Sequence, residues 1–328
     1  MISAFINFAL AFAFFIFSSQ LPAQEVLGGP GNPLFDGADP DITIADGKYW
    51  IYPTCSGGPN GPAFFVYSSS DLQTWVKTGP ILSFRDVPWI NDDGRSRHYA
   101  WAPGIFQSDD HHFYLYYSVG PQNEEGPSRI GVAVSDSPGG VFKDSGKVLL
   151  TGDAKFEAID AMVFEDKKDG RVYLYAGGSA ASKLHIFELN PDLVSIAREI
   201  PVKNPPKFTE GTYMTERNRI YYLSYSHGDW RDASYSVHYC TAPSPTGPWT
   251  YKGAILTSTD QNWGPGHHAI FQDPRTEQWY IVYHRWNHVV DGIKPRSRSI
   301  CIDPLNFDQD GNIQPVQMTD SGGAPSPQ

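Results

Sequence analysis

Asp39, Asp160 and Glu210 each head a run of alternating apolar residues, a polar turn and an aromatic-rich stretch: "DPDITIADGKYWIYP", "DAMVFEDKKDGRVYLYA" and "EGTYMTERNRIYYLSY". Two more segments, "APGIFQSDDHHFYLYY" from Ala102 and "HHAIFQDPRTEQWYIVY" from His267, share the layout. Aligned on their apolar residues, the five starts become equivalent positions, and three carboxylates and one imidazole converge. Such a set suits hydrolysis of a glycosidic bond, in which one carboxylic acid protonates the leaving oxygen while a carboxylate activates water or attacks directly. Three acids around one channel are costly unless they are hydrated, hydrogen-bonded or used. The bland alternative is a water-filled channel lined with acids by chance. Asp41, two residues beyond Asp39 and on its face by period-two alternation, competes as the base.

Convergence requires a fold that brings distant segments to one point. The five starts lie 63, 58, 50 and 57 residues apart. After most of the hairpins comes a further strand, as in "FFVYSSSDLQTW", "RIGVAVSDSPGGVF", "SKLHIFELNPDLV" and "SVHYCTAPSPTGPWTY", so a unit supplies about four strands. Helical periodicity is absent. Repeats of this length and content predict an all-β, five-bladed β-propeller with an active site in its central channel, formed by residues 24–328 as one domain. The first strand of each blade is innermost, which places its opening residue at the channel. Composition agrees: 14% of the 328 residues are aromatic, and 31 Gly and 27 Pro supply turns, which excludes a helical bundle and a disordered chain.

The formal net charge of −11 and the lack of a basic run exclude a duplex nucleic acid as partner. Residues 2–17 are apolar, and small and polar residues follow as far as Ala23. Residues 1–23 therefore read as a signal peptide, which predicts a secreted or periplasmic protein with no membrane contact after its removal; an uncleaved anchor is the alternative. Cys55, Cys240 and Cys301 are too far apart for a metal motif and read as buried thiols, with one disulfide as the alternative. Trp50, Trp89, Trp101, Trp230, Trp263 and Trp286 are expected near the channel mouth, where flat faces suit sugar rings. Trp101 and Trp263, beside innermost strands, are the chosen sugar contacts. His267, His268, His284 and His288 fall on different strands without acid spacing, which argues against zinc.

Five motifs in order carry a resemblance to glycoside hydrolase family 43 over almost all of the mature chain. "NPLFDGADPDI" is similar to the family's general-base segment and maps the base to Asp39. "AIDAMVFED" resembles the segment of a second Asp that orients the acid and raises its pKa, here Asp160. "FTEGTYM" is similar to the Glu-Gly motif of the general acid, here Glu210, although many relatives have Pro or an aromatic residue after Glu-Gly. "GPGHHAIF" resembles the Gly-His segment whose His, here His267, approaches a central water or metal ion, and the Arg before "SICIDPL" maps to Arg298, a contact of the acid region or the sugar. The resemblance implies inversion at the anomeric carbon, no required cofactor, and room for a structural Ca²⁺ that His267 reaches through waters.

It further implies removal of terminal α-L-arabinofuranosyl or β-D-xylosyl residues from plant-type oligosaccharides or polysaccharides. The loops "SGGPNGPAFF", "RDVPWINDDGRSRHY" and "GPQNEEGPSR" are long enough to wall off a pocket for one terminal sugar. An endo-acting arabinanase, a galactan- or galactofuranose-directed hydrolase and a non-catalytic carbohydrate-binding propeller are the alternatives. A monomer is expected.

Overall fold

The structure, a computed structural model, describes residues 25–27, 29, 31–54, 61–123 and 126–322. The expected signal peptide and Cys55 lie outside those residues. Five antiparallel sheets form a propeller, as the repeats predict. The second strands Lys48–Thr54, Phe113–Gly120, Arg171–Ala176, Ile220–His227 and Trp279–Trp286 are rich in aromatic and β-branched residues and largely buried, as suits strands sandwiched between neighbours on both faces. Five hydrophobic clusters fill the spaces between successive blades, including the one where blade 5 meets blade 1.

From the channel outward, blade 1 is Ala38–Ala45, Lys48–Thr54, Ala63–Ser69 and Trp75–Ser83, with Glu25–Leu27 outside them. Blade 2 begins with Tyr99–Gln107, blade 3 with Met162–Asp166, blade 4 with Glu210–Arg217 and blade 5 with Trp263–Gln272. These first strands contact one another around the ring. One feature departs from the repeat reading. The last segment supplies only three strands, and the fourth strand of blade 5 is Phe35–Asp36, paired as Phe35 with Ile300 and Asp36 with Ser299. The chain thus closes its ring with its own beginning. Asn32 supports the closure by donating to the Ile302 carbonyl and accepting from the Ile302 N–H, both at 2.9 Å.

At the channel each blade carries the same backbone irregularity. Asp39, Ala102, Asp160, Gly211 and His267 all have positive φ, between 35° and 62°. In blades 1, 2, 4 and 5 the pairing register slips there, so that Ala38 faces Thr54 while Asp41 faces Tyr52. The slip corrects two expectations. Asp41 shares its face with Ala38, because the extra residue breaks the alternation that would have placed it with Asp39. The blade 4 counterpart of Asp39 and Asp160 is Gly211, and Glu210 stands one residue earlier, in register with Trp101.

Candidate active site

The bulges leave backbone N–H groups that need acceptors, and the end of each neighbouring second strand provides one. Asp39 N–H meets His284 Nδ1, Ala102 donates to Thr54 Oγ1, Asp160 to Ser118 Oγ and His267 to Ser226 Oγ, over 2.7–3.1 Å. Blade 3 has Gly177 at this strand end, with no side chain to offer, and the Gly211 N–H is met by Asp160 Oδ2 at 3.1 Å. Asp160 thus completes the ring of acceptors and is oriented by doing so.

Asp39 is held on every side. Its Oδ2 accepts from Thr54 Oγ1 at 2.6 Å, while Oδ1 lies 3.3 Å from Arg298 Nη1, 3.2 Å from His284 Nδ1 and 3.4 Å from His267 Nδ1. His284 Nε2 faces Arg298 Nη1 at 3.2 Å. Burial and the Arg298 charge push His284 down to about 4, which keeps it neutral. Burial acts to raise Asp39, but Arg298, His267 and the His284 hydrogen bond outweigh it and hold the carboxyl well below the usual range.

Asp160 and Glu210 experience the reverse. Both are 6% exposed. Burial raises Asp160 well above the carboxylate range, and the charges of Glu210, Asp39 and Glu157 add to it against the Gly211 N–H. Burial pushes Glu210 up to about 7; the Tyr235 hydroxyl at 2.8 Å and the Ser179 N–H at 3.1 Å oppose this, and the charges of Asp39 and Glu157 reinforce it. Near neutral pH the cavity therefore holds one firmly ionised carboxylate on blade 1 and two carboxyls, on blades 3 and 4, that resist ionisation. Blades 1 and 4 are not neighbours, and His267 of blade 5 lies between them, 3.5 Å from Asp160 Oδ2.

A cavity of about 280 Å³ brings together Asp39, Asp160, Glu210, His267, Arg298 and Trp101, with Tyr99, Trp230, Glu157, Ile159 and Ser179 completing its wall. Trp263 is not part of it. It begins the first strand of blade 5 opposite Trp286 and packs toward Gly292, while Trp230, 38% exposed beneath the Arg298 guanidinium, provides the aromatic face instead. Trp50 and Trp89 pack in the core between blades 1 and 2, and Trp286 lines an outer groove of about 740 Å³ that shares Trp230 and Arg298 with the cavity. Asp41 lies outside the cavity with both oxygens occupied, accepting from Ile42 and Ile105 N–H groups at 2.7 Å.

Thr54, Glu157, Tyr235 and Ser179 are not among the residues expected from sequence, and His284, weighed there only as a metal ligand, stands beside Asp39 instead. Thr54 and His284 are accessible through strand register, since each lies at or near the end of a second strand, opposite the residue before a bulge. Glu157, Ser179 and Tyr235 lie in irregular segments that carry no periodic signal. His268 is buried against Ser224 Oγ at 2.7 Å. His267 Nδ1 is turned to the Asp39 and Asp160 carboxyls, and the described residues contain no group of three or more His, Cys, Asp or Glu that could hold a metal ion directly. Cys240 and Cys301 are buried free thiols.

The chain is 38% identical over 309 residues to a β-D-galactofuranosidase of Aspergillus niger, covering 89% of this chain and 86% of that one. It is 29% identical to a xylosidase/arabinosidase of Bacteroides ovatus, covering 89% and 97%. Among solved structures, an α-L-arabinofuranosidase from Clostridium thermocellum superposes with a TM-score of 0.69 at 30% identity, covering 87% of this chain and 95% of that one. The family model for glycosyl hydrolases family 43 matches residues 30–313, and the chain belongs to that family.

Proposed function

We propose that the protein is an inverting, exo-acting glycoside hydrolase that releases one terminal furanosyl residue, β-D-galactofuranose or α-L-arabinofuranose, from an oligosaccharide or polysaccharide. The observation that carries this reading is the opposite ionisation of Asp39 and Glu210 within one cavity. As a carboxylate, Asp39 removes a proton from the water that attacks the anomeric carbon. Glu210, protonated up to about 7, gives its proton to the departing oxygen. Asp160, itself raised by burial and by the charge of Glu210, anchors the Gly211 peptide beside the acid. Thr54, His284 and Arg298 aim the base, and Trp101 and Trp230 face the sugar.

The size of the cavity favours a single sugar, with the rest of the chain in the outer groove. The two furanosides share ring size and ring configuration, and galactofuranose extends arabinofuranose by one hydroxymethyl group. The name of the Aspergillus niger relative supports the former and that of the Clostridium thermocellum protein the latter. A panel of 4-nitrophenyl β-D-galactofuranoside, α-L-arabinofuranoside and β-D-xylopyranoside tests the choice, and release of xylose alone overturns it. Proton NMR of the first product is expected to show the inverted anomer; retention would make Asp39 a nucleophile and end this reading.

A further inference from the structure

Glu157 is a fourth carboxylate in the cavity, and the acid, base and modulator described above do not account for it. It is 6% exposed and lies three residues before Asp160. The turn joining the second and third strands of blade 3 holds it beside Glu210 through consecutive peptides: Ser179 N–H donates to Glu210 Oε2 at 3.1 Å and Ala180 N–H to Glu157 Oε2 at 2.6 Å. The turn can approach so closely because residue 178 is glycine; a Cβ there would lie 2.5 Å from Glu157 Oε2 and from Ile159. Among the described residues nothing donates to Glu157 Oε1.

We propose that Glu157 acts through Glu210 as a positioning residue, its negative charge fixed one peptide away from the acid so that Glu210 keeps its proton until the leaving oxygen takes it. This rests on the reading of Glu210 as the acid. Burial raises Glu157 and the Ala180 N–H that it accepts opposes the rise, while the charge of Glu157 disfavours ionisation of Glu210. The other groups facing Glu210 divide by sign. Asp160 from blade 3 and Asp39 from blade 1 repel its charge, Arg298 from blade 5 attracts it, Tyr235 from blade 4 donates to it, and neutral His267 and His284 do neither. Glu157 adds to the repelling set.

The test is the pH dependence of kcat/KM on an unactivated disaccharide. In E157Q the basic limb is expected to move to lower pH by about one unit, with KM at pH 5 unchanged within about twofold, and E157D is expected to restore the limb. An unmoved limb with a raised KM would make Glu157 an acceptor for a sugar hydroxyl and overturn the proposal. If E157Q does not fold, carboxyl ¹³C NMR of the unsubstituted protein decides the matter, because Glu157 must titrate below Glu210, and the reverse order overturns it. An E210Q variant that stays active removes both the acid and this role, whereas an inactive E210Q with an unmoved E157Q limb removes only the role of Glu157.

Discussion

Burial pushes Asp39 and Glu210 in the same direction, and their partners decide which one stays charged. Asp39 has a guanidinium and a hydrogen-bonding imidazole within 3.3 Å, whereas Glu210 has carboxylates for neighbours and only neutral donors on its oxygens. Substituting Asp39→Asn or Glu210→Gln is therefore expected to lower kcat by about 10²- to 10⁴-fold without unfolding the protein, since each isostere keeps the volume and loses the proton chemistry. Thermal melts alongside kinetics check both parts. The wild-type rate should hold from acidic pH up to about 7 and fall above it, as Glu210 ionises. Asp160 and Glu210 hinder each other's ionisation, so in Asp160→Asn the proton of the pair is expected to leave earlier and the basic limb to move down. An activated aryl leaving group hardly needs protonation, and the loss there should be much smaller than with a natural disaccharide. An equal loss on both substrates, with no movement of the limb, would make Asp160 a sugar-binding residue.

A positive-φ kink at the opening of each blade, with a register slip in four of the five, turns strand positions into the ring of candidate site residues. Thr54 shows how the elements cooperate, since its hydroxyl accepts the Ala102 N–H of blade 2 at 2.7 Å and donates to Asp39 of blade 1 at 2.6 Å. Replacing it in Thr54→Val removes the donor and orphans a buried N–H. The acidic limb of kcat/KM should move to higher pH, and stability should fall by about 1–3 kcal/mol in urea titrations; Thr54→Ser should restore both. The repeats made the blades and the openings legible, because strand alternation and turn chemistry are local. The bulge was not legible, since an inserted residue looks like any other until its partner strand is known. That is why Glu210 was aligned with Asp39 although Gly211 is its structural counterpart, and why Asp41 competed with Asp39. The place of Trp263 beside an innermost strand is legible in the sequence, but which way its ring turns depends on the 290–293 hairpin packed against it.

Closure and charge act on the molecule as a whole. The ring is sealed by two residues, of which Phe35 stacks on Tyr67 with ring centroids 3.9 Å apart and meets Trp75 edge-on, thereby tying the last blade to the first. Phe35→Ala is expected to cost about 3–5 kcal/mol, a loss out of proportion to a two-residue strand, and urea unfolding checks it. The acids bury a second liability. Burial raises Glu210 and Asp41 to about 7, so each binds its proton more tightly folded than unfolded. The stability they contribute is fully present below the ordinary carboxylate pKa and is lost as pH rises through about 7, because the unfolded chain has by then released protons that the folded one still holds. The urea midpoint should therefore decline between pH 5 and 9. Asp41 separates this decline from catalysis, since it clips blade 1 to blade 2 outside the cavity. In Asp41→Asn, which does not titrate, the midpoint should start lower and decline less steeply, while the basic limb of kcat/KM stays at the position set by Glu210. A limb that moves together with the stability curve would show instead that the loss of activity above neutral pH is unfolding.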